Sequence, residues 1–207
     1  PISTSFKKVF QTLKRIKAYK PLFLFLIAYF FYIDGVHTII TMSTAYGTDL
    51  GISSTNLLII LFATQVIAAP FAMLYGKLAD RFTGKRMLLV GIFIYIIICI
   101  YAYFMKTTLD FWILAMLVGS SQGGIQALSR SYFAKLVPKE NANEFFGFYN
   151  IFYKFASILG PALVGVTAQI TGNTNAGVFS LVILFILGGA VLLRVPETTE
   201  KIQVNNQ

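Results

Sequence analysis

Six uninterrupted apolar stretches govern what this chain can fold into. They run from about Pro21 to Gly47, Thr55 to Tyr75, Met87 to Met105, Phe111 to Ala134, Glu144 to Ile170 and Gly177 to Leu193. A helix needs roughly 20 apolar residues to cross the hydrocarbon core of a bilayer, and each stretch is long enough, the sixth with least to spare. The runs are continuous rather than alternating, so they read as helices and not as barrel strands. Composition agrees: of 207 residues, 57% are hydrophobic and 12% charged, with a mean hydropathy of +0.72. So few polar side chains cannot coat a water-soluble fold of this size. The expected class is therefore an all-α, polytopic membrane protein with six transmembrane helices. Residues 21–194 would form the membrane domain, 1–20 a basic cytoplasmic linker and 195–207 a cytoplasmic tail.

The chain carries 17 Lys and Arg against 8 Asp and Glu, a net charge of +9. In a soluble chain this would suggest nucleic acid; here position matters more than number. Lys7, Lys8, Lys14, Arg15, Lys17 and Lys20 precede the first run, and Lys77, Arg81, Lys85 and Arg86 follow the second. Arg130, Lys135 and Lys139 close the fourth, and Arg194 and Lys201 follow the sixth. All of these fall on one side of a six-span topology, whereas the opposite loops hold only Lys106 and the fifth span holds Lys154. The positive-inside rule then puts both termini in the cytoplasm. Between the basic residues of the linker, Phe6, Val9, Phe10, Leu13 and Ile16 recur at helical spacing, which predicts an amphipathic helix on an anionic membrane surface. A single cysteine, Cys99, and a single histidine, His37, leave no internal disulfide and no zinc cluster to build. No metal, cofactor or nucleic-acid partner is expected.

The spans divide by polarity. The first carries Asp34 and His37, the second Gln65, the fourth Gln122, Gln126 and Arg130, and the fifth Asn150 and Lys154. The third and sixth carry no ionisable residue in mid-span apart from tyrosines and Cys99. Polar, polar, apolar, repeated once, predicts a 3+3 inverted repeat with triplets at about 21–105 and 111–194. The third helix of each triplet should then be peripheral and face lipid, and the first two should line a cavity. Asp34 lies roughly 20 Å along the first helix and Lys154 roughly 15 Å along the fifth, both near the bilayer centre. Ionisable groups there are functional candidates by default. Asp34, His37, Thr38 and Thr41 share one helix face, as do Asn150, Lys154, Ser157 and Pro161. The expectation is a water-filled site built from Asp34, His37, Thr38, Gln122, Gln126, Asn150 and Lys154. Asp34 and Lys154 would form a charge pair that substrate or proton binding breaks; a static ion pair fixing helix packing is the structural alternative.

The sharpest motif is Gly76-Lys-Leu-Ala-Asp80-Arg81-Phe-Thr-Gly-Lys85-Arg86. It resembles the cytoplasmic loop signature of the major facilitator superfamily, with one departure: the glycine expected two residues after Arg81 is Thr83, with Gly84 one later. As a gating loop, Gly76 would allow a tight helix exit, Asp80 would bond the positive end of a neighbouring helix, and Arg81, Lys85 and Arg86 would anchor at anionic headgroups. Leu159-Gly160-Pro161 predicts a bend in the fifth span. Tyr32-Ile-Asp34-Gly35, Gly123-Gly-Ile-Gln-Ala-Leu-Ser-Arg-Ser131 and Glu144-Phe-Phe-Gly-Phe-Tyr149 together resemble the second half of the autophagy-related vacuolar amino-acid effluxer-like family within that superfamily.

That resemblance implies half of a twelve-helix fold, with residues 1–20 as the central linker and a bacterial inner membrane as the setting. It implies a secondary active transporter that moves a small solute, amino acids among the candidates, by alternating access. Proton coupling would run through Asp34, the one acid deep in the membrane. Partners would be membrane lipids, the solute, and either an N-terminal six-helix half or a second copy. A non-transporting sensor with a transporter-like fold, and a stand-alone half acting as a dimer, are the alternatives. An enzyme is not expected: the chain has no H-E-x-x-H, G-x-S-x-G or Walker A pattern, and its one histidine leaves little to pair with a nucleophile.

Overall fold

A computed structural model describes residues 11–196. Among these residues the first four apolar runs form helices α1 (Lys20–Asp49), α2 (Ser54–Phe82), α3 (Gly84–Phe104) and α4 (Thr108–Leu136). The fifth run is two helices, α5 (Ala142–Phe155) and α6 (Leu159–Thr171), and the sixth is two more, α7 (Thr174–Ser180) and α8 (Val182–Leu193). Six helical units result that are long and apolar enough to cross a membrane.

Local sequence explains the ends. Pro21 sits in the first turn of α1, where its missing N–H costs nothing. Thr107 and Asp110 form a reciprocal capping box on α4: the Asp110 N–H donates to Thr107 Oγ1 at 3.1 Å, and the Thr107 N–H donates to Asp110 Oδ2 at 2.9 Å. Asn173 accepts from the Asn175 N–H at 2.8 Å and starts α7. Gly172 takes a left-handed φ of +66° to end α6.

Close backbone approach joins the helices. A Cβ at Gly119 would lie 2.8 Å from the Thr64 carbonyl oxygen, and one at Gly123 would lie 2.9 Å from that of Ala68. This small-residue face of α4 lets α2 pack directly on it. At the cation-rich end, Tyr149 of α5 stacks on Tyr29 of α1 at 4.4 Å and meets Phe133 of α4 at 4.6 Å. Phe25 and Tyr132 extend this aromatic layer at 5.1 Å.

Burial repeats with the triplet. In the most apolar stretch of each span, 61% and 50% of residues are buried in the first and fourth, 22% and 17% in the second and fifth, and 44% and 39% in the third and sixth. The order of burial is thus the same in spans one to three as in spans four to six. The least covered spans are nevertheless the second and fifth, not the third and sixth as expected. The third and sixth pack against each other, through α3 with α7 and α8, and so cover one another. On the outer face of α3, Val90, Phe93, Ile97, Ile100 and Phe104 form one exposed apolar stripe.

In the linker, residues 11–18 are helical, and Thr12 and Ile16 are buried against the bundle. Phe6, Lys7, Lys8, Val9 and Phe10 lie outside the described residues, as does the tail from residue 197.

Candidate functional site

The fifth span is broken at residues 156–158, and a side chain from another helix closes the break. Pro161 has no N–H to carry the helical ladder across, so α6 starts afresh at Leu159 with orphan donors. Asp34 of α1, wholly buried, accepts both of the first ones: the Leu159 N–H donates to Oδ2 at 3.0 Å and the Gly160 N–H to Oδ1 at 2.9 Å. A carboxylate at the positive end of a helix is favourably placed. Thr38 donates to the Asp34 carbonyl oxygen at 2.7 Å and lies 3.4 Å from Oδ1. Only glycine fits at 160, since a Cβ there would stand 1.9 Å from Thr38 Oγ1 and 2.8 Å from Asp34 Oδ1.

The expected Asp34–Lys154 pair is therefore not formed. The charge of Asp34 is met by backbone donors and a helix end, while Lys154 projects from the exposed face of α5. The salt bridge found among the described residues is Arg15–Glu144.

Beside Thr38, a narrow cavity of about 60 Å³ lies between α1, α2 and α4, with residues of α3, α6 and α7 completing its wall. Its lining residues lie in the half of the bundle nearer the cation-poor loops. Its wall is mostly apolar, with Met42, Phe111 and Val164 among its residues, and Thr38, Thr64, Gln65 and Gln122 give it polar groups. The Gln122 amide donates to Gln65 Oε1 at 3.4 Å.

A second face is exposed and polar. Asn143, Gly147, Asn150, Lys154 and Ser157 recur at alternating spacings of four and three, so they form one stripe along α5 and its end, all exposed. His37 reaches this face: its Nδ1 lies 3.4 Å from Ser157 Oγ, and its ring meets Tyr153 edge-on at 4.4 Å.

The candidate residues therefore fall into three places instead of one. Asp34 and Thr38 join at the helix break, Thr38 and Gln122 line the cavity, and Asn150 and Lys154 lie on the exposed stripe with His37 at its edge. Gln126 is half-buried on α4 and lies outside the cavity lining. Sequence reasoning missed the Leu159 and Gly160 amides and left Gln65 out of the site. The signal for the amides was present, because a proline in the first turn marks a helix start, and a lone buried carboxylate needs donors.

The gating motif is helical nearly throughout. Gly76, Lys77, Asp80 and Arg81 lie inside α2, and a single residue, Thr83, separates α2 from α3. Gly76 makes no tight exit; the turn is at Thr83, with φ +80°. Asp80, Arg81 and Arg86 are exposed, and Arg81 lies over the Phe82 ring at 5.5 Å. Lys85 does not reach for headgroups. It is 9% exposed, and its Nζ donates to the carbonyls of Leu193 and Val195 at 3.0 and 2.6 Å, at the C-terminal end of α8.

Comparison with known proteins sets this arrangement in context. Residues 2–205 match the family described as "Vacuole effluxer Atg22 like". Over 198 residues the chain is 72% identical to the MFS-type transporter YxiO of Bacillus subtilis (strain 168), covering 96% of this chain and 46% of that protein. It is 30% identical over 203 residues to autophagy-related protein 22 of Saccharomyces cerevisiae (strain ATCC 204508 / S288c), covering 92% of this chain and 38% of the yeast protein. Against the Vanderwaltozyma polyspora protein of the same name the identity is 29% over 195 residues. The chain spans less than half the length of these relatives.

Proposed function

The chain belongs to the Atg22-like vacuole effluxer family, a family of transporters, and from that premise we propose that it is one six-helix half of a secondary transporter that passes a small solute by alternating access. The observation that carries this reading is the polar stripe on α5. Lys154 is exposed midway along the fifth span, in line with Asn150 and Ser157. Facing lipid, a lysine there costs about 2.5–3.5 kcal/mol on insertion scales, so such a face belongs against water or a protein partner. The apolar stripe on α3 meets no such conflict. The two least covered spans, α2 and α5–α6, are the natural seat for a second six-helix unit, from the same polypeptide or a second copy. The solute pathway then runs between the units, past Lys154, Asn150 and His37. The charge asymmetry supports termini on the cytoplasmic side of a bacterial inner membrane.

Amino acids are the first solutes to test. Coupling fits a proton on Asp34: a protonated carboxyl is a weaker acceptor for the Leu159 and Gly160 amides, so protonation loosens the start of α6 and lets the two parts of the fifth span move separately. Counterflow of labelled amino acids in proteoliposomes of the full-length protein tests the reading. Wild type should exchange solute, Lys154→Met should lose exchange, and Asp34→Asn should remove its pH dependence. Wild-type exchange that survives Lys154→Met unchanged would overturn the assignment of the pathway.

A further inference from the structure

The helical residues 11–18 lie within a residue or two of the membrane entry of α1 and have two faces. One grips the cytoplasmic end of α5. Thr12 Oγ1 donates to Glu144 Oε1 at 2.5 Å, Arg15 Nη1 donates to Glu144 Oε2 at 3.1 Å, and Ile16 is wholly buried. Just beyond, the Tyr19 ring meets Phe145 edge-on at 6.0 Å. The other face is basic and open: Lys14, Arg15, Lys17 and Lys20 are all exposed. Arg15 belongs to both, since its side chain is 61% exposed even while paired.

The helix it grips is separate from its continuation: α5 is severed from α6 at residues 156–158. Its cytoplasmic end is held by Glu144 and by the packing of Phe145, Phe148 and Tyr149, and the break beyond its other end by the Asp34 cap.

We propose that residues 11–20 form a latch on α5 that anionic phospholipid headgroups open, by drawing the basic face to the membrane surface and taking Arg15 away from Glu144. An exposed ion pair is weak. Four basic residues beside an anionic bilayer gain about 1 kcal/mol each, which outweighs one such pair, and Ile16, moving from the bundle to the headgroup boundary, keeps apolar surroundings. The zwitterionic surface offers no such competition, so the latch stays closed there. This rests on reading α5 as the pathway helix, and its test measures a distance rather than transport.

The measurement uses the full-length protein, with Cys99 and any other cysteine replaced and spin labels at Ala18 and Asn143. Both positions are exposed, so labelling leaves the core intact. In phosphatidylcholine vesicles the pair should give one narrow distance distribution. With about a third of the lipid replaced by phosphatidylglycerol, it should broaden and lengthen by roughly one helical turn, ~5 Å. Lys14→Gln with Lys17→Gln should suppress that shift, and Arg15→Gln should produce it in phosphatidylcholine alone. Identical distributions in the two lipids would overturn the proposal. So would an equal shift from inorganic phosphate without anionic lipid, or a shift that survives removal of Lys14 and Lys17.

Discussion

Replacing Asp34 tests the capped helix break most sharply, because two substitutions should fail by different amounts. The carboxylate accepts the Leu159 N–H through one oxygen and the Gly160 N–H through the other. Asp34→Asn retains one acceptor and turns an NH2 toward the second amide. One buried donor is then unsatisfied, at a cost of about 1–3 kcal/mol. Asp34→Ala strands both donors and leaves space where the carboxylate was, for about 2–6 kcal/mol by the same scale. At about 2–4 °C per kcal/mol for a chain of this size, the asparagine variant should melt several degrees below wild type and the alanine variant lower again. Thermal unfolding of the purified protein in detergent, followed by size-exclusion recovery after heating, supplies the numbers. Equal melting of wild type and Asp34→Asn, or equal losses in the two variants, would mean that Asp34 does not hold the start of α6.

Two further substitutions probe the junctions around α3 and α8. Thr83 has φ +80° and ψ 142°, a region suited to glycine. Strain of about 1–3 kcal/mol is typical there, against roughly 0.5–1 kcal/mol for the added freedom of glycine. Thr83→Gly should therefore raise the melting temperature by a few degrees, and a lower value would contradict the strained turn. Lys85→Met keeps the aliphatic stem but loses the bonds to Leu193 and Val195. Charge-assisted bonds of this kind contribute about 1.5–3 kcal/mol each, so proteolysis at the end of α8 should accelerate in the variant. An unchanged cleavage rate would remove Lys85 from that role.

The spans were legible because a membrane helix must be long and apolar throughout, and those two properties are written residue by residue. Polarity by triplet was legible for the same reason. Which helix would be least covered was not, because coverage depends on neighbours: α3 hides against α7 and α8 across a large sequence separation. Asp34 stood out as a buried charge, but its partner was sought among side chains. The chain supplies two amides instead, and an amide has no letter in the sequence. Thr83 is the reverse case. The departure from the expected glycine was visible in the sequence, and the structure places the positive φ at that residue. Lys85 and Arg86 read alike as a basic pair, yet their side chains leave the helix in different directions, one inward to α8 and one to the surface.

Cysteine accessibility tests directly whether the α5 stripe borders an aqueous pathway. The sole cysteine of this chain, Cys99, is buried. Replacing it, with any other cysteine of the full-length protein, gives a clean background for single cysteines at Asn150 and Ser157 on the stripe and at Phe93 and Ile97 on the lipid-side stripe of α3. A permanently charged thiosulfonate meets a barrier of about 2.5–3.5 kcal/mol in hydrocarbon, roughly a hundredfold in rate. In native membranes Asn150→Cys and Ser157→Cys should react faster than Phe93→Cys and Ile97→Cys by about that factor. Equal, slow reaction at all four positions would contradict it.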